Sequence, residues 1–257
     1  MWVRLNGRVP YWSTGHHLFP EGVLAKMTKS NLEILAYEET PLGVLCLRKR
    51  QSLQNPEITV TEITLNHEFL MSSYYTESEQ ALSTIALEMH GGKDLNILIG
   101  GLGLGYTANE ALLSDKIQSV DVVEFLPEVI SWLDRGLVPL AQKLCSDKRL
   151  KVVEGDIYRR LAKPPHKKFD VILIDVDHSP NERLDTKIGQ FYTTEGLKKA
   201  KEHLTEGGVL GVWSYAEDSP FADALRNVFD EVRIEAVTFI HKSQNNEENT
   251  DWLFFAR

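Results

Sequence analysis

The sequence predicts an α/β fold: a doubly wound, largely parallel sheet that ends in an antiparallel hairpin, preceded by a small β unit. Three observations carry this reading. An apolar run, Leu95–Ile99, stops in a loop with four glycines in the six positions 100–105, and a helical pattern follows. Beyond it, continuous apolar runs alternate with amphipathic stretches, the pattern of parallel strands covered on both faces. The last two β-like runs, Glu231 to Ile240 and Asp251 to Ala256, have no helix between them.

Before Thr76 the chain reads as short β-branched or alternating runs, Leu32 to Tyr37, Gly43 to Arg48 and Ile58 to Leu65. Turn chemistry at Thr40–Gly43 and Gln54–Pro56 separates them. Three or four antiparallel strands of this size are not stable alone, so they must pack on the main domain or on a second copy. Residues 1–75 are therefore expected to form an N-terminal segment and small β domain, and residues 76–257 the main domain. His16 and His17 are adjacent and cannot both face one site on a regular element, so no metal site is expected there.

A helix is predicted from Thr76, with Glu77 and Glu79 in its first turn, a stripe of Ala81, Ile85, Ala86 and Met89, and a stop at Gly91–Gly92. Strands are then expected at Leu95–Ile99, Gln118–Glu124, Leu150–Val153, Phe169–Asp175 and Val209–Trp213. Helices are expected at Tyr106–Leu113, Pro127–Leu144, Glu195–Leu204 and Pro220–Phe229.

Composition narrows the function. With 257 residues and 42% hydrophobic content, the chain can bury a large core. Its formal net charge of −9 argues against general attraction to nucleic acid or an anionic membrane. The basic stretch from Arg159 to Lys168 lacks interleaved aromatics and reads as a solvated loop. Cys46 and Cys145 lie far apart and read as free, mostly buried thiols of a reducing compartment. No signal-peptide core or membrane-length apolar run is present, so a cytoplasmic location is expected.

The glycine loop identifies the ligand class. A loop so poor in side chains lets its backbone lie against a ligand, so Gly101, Gly103 and Gly105 are predicted to contact a nucleoside. Glu124, about twenty residues on, is placed to take both hydroxyls of a ribose. Asp156 and Asp175 follow two further strands, and ligands of open doubly wound sheets bind at the carboxyl ends of strands. Gly103–Ala108 matches G-x-G-x-x-A on paper, but the register starting at Gly100 fails at Leu102. No Lys–Ser or Lys–Thr follows the loop, as a P-loop requires. An adenosyl-sulfonium ligand fits better than a dinucleotide or a nucleoside triphosphate.

From about Leu65 onward the chain resembles the polyamine aminopropyltransferases, the spermidine synthase family. The resemblance rests on Ile99–Gly105, Val122–Glu124, Gly155–Asp156, Phe169–Asp175, Phe191–Tyr192 and Gly207–Leu210. It implies a class I methyltransferase-like (Rossmann-like) fold with a small N-terminal β domain. It also implies that Glu124 holds the ribose, that Asp156 and Ile157 flank the adenine, and that Asp175 sits near the reacting centre. Asp177 and His178 follow as candidates for a second acid or a base. The chain departs from the family in three places. Gly103 stands where the G-G-G-D-G loop carries an acid, Glu79–Gln80–Ala81 replaces a Tyr-His/Gln-Glu segment, and D-S-S-D-P reads Asp175–Val176–Asp177–His178–Ser179–Pro180. A buried ammonium without a carboxylate is costly. The expected chemistry is therefore methyl transfer from S-adenosylmethionine to a small acceptor. Aminopropyl transfer from decarboxylated S-adenosylmethionine to an amine comes second, and a non-catalytic nucleoside-binding protein third. A small-molecule acceptor, an amine among the choices, and a homodimer are the expected partners.

Overall fold

The computed structural model describes residues 32–52, 55–176, 186–241 and 247–257. Leu32–Arg257 forms one compact unit containing two sheets. The predicted positions His16, His17, Asp177 and His178 lie outside the described residues.

The smaller sheet is antiparallel, in the order β1 (Leu32–Thr40), β2 (Gly43–Gln51), β3 (Thr59–Leu65), β4 (Glu68–Ser72). The fourth strand pairs through a tight turn at Asn66 and His67, both with positive φ. Leu45, Leu47 and Ile63 belong to the same hydrophobic cluster as the strands of the larger sheet, so the small sheet is held by a shared core. Its one fully buried acid, Glu62, is bracketed by Arg48 at 2.9 Å and Arg50 at 2.6 Å. A carboxylate so placed tolerates burial because both oxygens are matched by cations.

The larger sheet has seven strands in the order β10-β11-β9-β8-β5-β6-β7. They are β5 (Leu95–Gly100), β6 (Ile117–Glu124), β7 (Leu150–Glu154), β8 (Phe169–Ile174), β9 (Leu204–Ser214), β10 (Val232–His241) and β11 (Glu247–Ala256). Strands β5 to β9 pair in parallel, whereas β11 is antiparallel to both β9 and β10, which is the terminal hairpin the sequence predicts. Strand β5 lies between β6 and β8, so the order reverses there and a crevice opens at its carboxyl end.

Eight helices among the described residues complete the unit: α1 (Glu77–His90), α2 (Tyr106–Leu113), α3 (Pro127–Asp134), α4 (Ala141–Ser146), α5 (Ile157–Leu161), α6 (Thr186–Phe191), α7 (Thr194–Glu202) and α8 (Ser219–Arg226). One hydrophobic cluster gathers α1, α2, α3, α4 and the small sheet, and a second gathers α5, α7 and α8, so both faces of the large sheet are covered. The second contains a ladder of edge-to-face rings, Phe191–Tyr192–Phe221–Phe254, which fixes Tyr192 as a core residue.

Three local expectations change. The helix predicted over Pro127–Leu144 is two helices. Gly136, with φ +74°, ends the first, and Pro139 lacks the N–H that a continuous helix needs. Cys46 is buried but Cys145 is exposed on α4. On α1 the fully buried residues are Ser78, Glu79, Leu82, Ser83 and Ala86, so of the predicted stripe only Ala86 is fully buried, while Ala81, Ile85 and Met89 are partly covered. A helix that turns serines and a glutamate inward needs polar partners there, and these form the site.

Candidate functional site

The site lies at the carboxyl edge of β5, β6, β7 and β8, where the glycine loop turns into α2. The Gly101 amide donates to Val123 O at 2.9 Å, and the Asp175 amide donates to Gly100 O at 2.8 Å, so the loop is stitched to both neighbouring strands. Gly101 has φ +97°, and a Cβ there would fall 1.9 Å from the Asp175 carbonyl oxygen. Only glycine satisfies both constraints. At Gly103 (φ +50°) a Cβ would meet Met71 Sδ at 2.6 Å, so a thioether from β4 occupies the space where any side chain on this position would begin. Gly105 packs against Leu144 of α4, and Ile157, 4% exposed, lies over Gly100.

Glu124 ends β6 with its carboxylate turned into the loop. Oε2 accepts from the Leu102 amide at 2.8 Å and Oε1 from the Leu126 amide at 2.8 Å. Burial raises its pKa, and the amides of Leu126, Leu102, Phe125 and Gly103 oppose that rise. A carboxylate has about four lone-pair directions, so two amides leave capacity for further donors. Asp156 caps α5, its Oδ1 accepting from the Arg159 amide at 2.9 Å. This is the turn chemistry that Gly-Asp ordinarily supplies, and it leaves the second oxygen at the strand end.

Asp175 follows β8 and is partly buried, with Oδ2 accepting from the Thr107 hydroxyl of α2. Burial pushes its pKa up to about 6; the charges of Asp251 and Glu124 add to the rise and the Thr107 hydrogen bond opposes it. Thr107 also lies 3.4 Å from Glu79 O, and Ser83 Oγ donates to Thr107 O at 2.7 Å. These bonds hold α1 against α2. They bring Glu79, 8% exposed, close enough to Asp175 for the two charges to interact. Burial, then the Asp175 charge, pushes Glu79 up to about 8.

A fourth carboxylate arrives from the terminal hairpin. Asp251 Oδ2 accepts from Ser78 Oγ at 2.7 Å, and the same hydroxyl receives the Trp213 indole N–H at 3.1 Å. Burial raises the pKa of Asp251, opposed by hydrogen bonds from Ser78 and Trp213. The structure thus joins Glu124 and Asp175, both expected from sequence, with Glu79, Ser78, Thr107 and Asp251, which sequence reasoning did not place in the site. Two signals for them exist: polar residues on the inward face of α1, and an acid opening the apolar run Asp251–Ala256. Neither identifies a site without the fold.

Strand order, crossover at β5 and the terminal hairpin define the class: a class I methyltransferase-like fold with an added N-terminal β-sheet. Solved structures agree. A spermidine synthase in complex with the transition-state analogue AdoDATO superposes with a TM-score of 0.66 at 20% identity, covering 87% of this chain and 73% of that one. The Thermotoga maritima spermidine synthase gives 0.66 at 19% identity, covering 87% and 72%. No established protein-family profile matches the chain.

Curated relatives point to the same group: the chain is similar to proteins named polyamine aminopropyltransferase. It is 30% identical over 190 residues to a polyamine aminopropyltransferase of Prochlorococcus marinus subsp. pastoris, covering 69% of this chain and 62% of that protein. It is 32% identical over 124 residues to the polyamine aminopropyltransferase of Prochlorococcus marinus strain MIT 9312, covering 48% and 42%. It is also 32% identical over 124 residues to polyamine aminopropyltransferase 2 of Streptomyces coelicolor, covering 48% and 22%. In none of the three does the match reach two thirds of the relative's own length. These relatives correct the expected chemistry. They are named for aminopropyl transfer, so the missing acid at Gly103 does not make methyl transfer the preferred reading. The structure also brings Asp251 of β11 close enough to Asp175 for their charges to interact, a pairing of acids that sequence spacing does not reveal.

Proposed function

We propose that this protein transfers an aminopropyl group from decarboxylated S-adenosylmethionine to an amine acceptor. The observation that carries this reading is the convergence of Asp175 and Asp251 beside the glycine loop, with the protonatable Glu79 between α1 and the crevice, an acidic lining suited to a cationic amine. The names of the relatives support the same chemistry.

In this reading Glu124 accepts the ribose diol with the lone pairs its two amide partners leave open. The second oxygen of Asp156 accepts from the adenine amino group, and Ile157 packs on the ring. The sulfonium is already activated, so the protein contributes mainly in-line placement of the nucleophile. Asp175, held by Thr107, orients the attacking amine and takes its proton. Holding its pKa near 6 keeps Asp175 largely ionised at neutral pH, yet basic enough to accept. Because Met71 fills the space beside Gly103, the aminopropyl amine is received by Asp251 of β11, with Glu79 of α1 as a neutral hydrogen-bond partner, and not by the loop.

The test is direct. Purified protein is incubated with decarboxylated S-adenosylmethionine and a panel of di- and polyamines, and products are read by mass spectrometry. Appearance of an aminopropylated amine with stoichiometric thioether nucleoside is the expected result. Absence of both across the panel overturns the reading.

A further inference from the structure

Ser78 Oγ has three polar neighbours: Trp213 Nε1 at 3.1 Å, Asp251 Oδ2 at 2.7 Å and Glu79 Oε2 at 3.1 Å. A hydroxyl has one proton to give and two lone pairs to receive with. The indole N–H points at one lone pair and is shared with the Asp251 carboxylate. The single hydroxyl proton can serve only one carboxylate fully, and the other contact is completed when that second carboxyl carries a proton of its own. The shorter contact directs the hydroxyl proton to Asp251, which leaves Glu79 as the group holding the extra proton.

The surroundings agree. Glu79 is 8% exposed, whereas Asp251 is partly open to solvent. The titratable groups facing Glu79 are Asp175 from the end of β8, Asp251 from β11 and the Tyr106 phenol from α2, with Glu77 beside Asp251. Among the described residues no ion pair reaches Glu79, Asp175 or Asp251. Burial and the Asp175 charge favour the neutral acid at Glu79 and outweigh the hydrogen bonds from its own backbone amide and from Ser78, which favour the ionised form.

We infer that Ser78 is a proton relay, through which Glu79 passes its proton outward to Asp251 and so becomes able to accept one from the crevice. Its purpose rests on the aminopropyl-transfer reading. An amine arrives as an ammonium but attacks only as the free amine. As Glu79 gives its proton to Ser78 Oγ, the hydroxyl proton moves to Asp251, which returns it to water. The ammonium then sheds one proton to the ionised Glu79–Asp175 pair. The new N–C bond forms as the C–S bond breaks, and the bonding pair leaves on sulfur as a neutral thioether. One proton enters the relay and one leaves it. Ser78 acts through its neighbours, so it is a positioning residue.

Two measurements decide the matter. In the resting protein near pH 7, infrared spectroscopy should show the carbonyl band of a buried protonated carboxyl. Glu79→Gln should remove it and Ser78→Ala should shift it. In turnover, Ser78→Ala should lower kcat by about 10²-fold near neutral pH, with KM for the amine unchanged. The deficit should shrink as the pH approaches the pKa of the amine, which then arrives already neutral. Ser78→Thr, which keeps the hydroxyl, should recover most of the loss, and thermal melting identifies either variant if it fails to fold. A band that survives Glu79→Gln, or a Ser78→Ala loss that is absent or equal at every pH, overturns the relay. If the wild-type protein transfers nothing to any amine, the functional reading fails, while the infrared band still decides where the proton resides.

Discussion

Glu124 Oε2 accepts the Leu102 amide proton at 2.8 Å, so the acid expected to bind a ribose also clamps the glycine loop. A hydrogen bond to a charged group is worth about 1.5–3 kcal/mol. Glu124→Ala should therefore weaken nucleoside binding by roughly that amount, and it should also lower the melting temperature, because the buried amides of Leu102 and Leu126 lose their acceptor. Calorimetry and a thermal melt read the two effects separately. Unchanged affinity removes Glu124 from the ligand site.

Gly101→Ala tests whether the loop needs glycine for its backbone or only for ligand access. The added Cβ would sit 1.9 Å from the Asp175 carbonyl oxygen at φ +97°. Strain of this kind costs about 1–3 kcal/mol, and displacing backbone adds to it. Loss of stability in denaturant without any ligand present is the expected outcome. A variant as stable as the wild type would mean that the loop is less tightly stitched to β8 than described.

Glu79 gives the pH dependence of stability a definite sign. Its folded pKa of about 8 lies above the ordinary value of 4.5, so the folded state binds the extra proton between those limits. The contribution of Glu79 to stability is then fully present below the ordinary carboxylate range and is lost as pH rises toward 8, by up to about 1.4 kcal/mol per pH unit for one proton. Asp175 acts in the same direction between 3.8 and about 6. Glu79→Gln should flatten the decline between pH 6 and 8 in chemical denaturation series. A slope unchanged by this substitution would place the proton elsewhere.

Asp175→Asn should keep nucleoside affinity while lowering turnover by roughly 10²–10⁴-fold, the usual worth of a general base. Asn can still accept a hydrogen bond from Thr107, so the local fold should persist. Loss of nucleoside binding together with activity would indicate a collapsed crevice and not a missing base.

Gly103→Asp combined with Met71→Ala places an acid inside the glycine loop. Aspartate tolerates the φ of +50°, and removing the thioether frees the space that a Cβ would otherwise contest at 2.6 Å. Affinity for decarboxylated S-adenosylmethionine should rise about ten- to hundredfold, the equivalent of one charge-assisted hydrogen bond. An unchanged or weaker affinity by calorimetry would show that the amine is already neutralised by the acids at the ends of β8 and β11.

Much of this architecture was legible in the residues. The apolar runs of β5, β6, β8 and β9 and the helix after the glycine loop emerge close to where their periodicity puts them, because strands buried on both faces leave an unbroken apolar signature. Short elements were not legible. Helix α5 has five residues and α6 has six, too few for a helical period to show. The break at Gly136 was visible as a glycine, but the apolar spacing on either side of it continues a helical pattern. Glu124 and Asp175 were identifiable as site residues because each closes a strand next to the loop. Asp251 was not, since it opens a strand, and an acid at a strand start is ordinary.

The sequence by itself determined the local geometry: which segments run as strands, where glycine frees the backbone, and which acids end parallel strands. These depend on side-chain period and backbone sterics within a few residues. Only the tertiary structure decided that Ser78 meets Asp251 across 173 residues, that Met71 of the small sheet covers Gly103, and that Glu79 faces Asp175. The physical reason is that burial and charge pairing depend on which elements pack together. A carboxylate's proton affinity is set by neighbours that chain distance does not reveal.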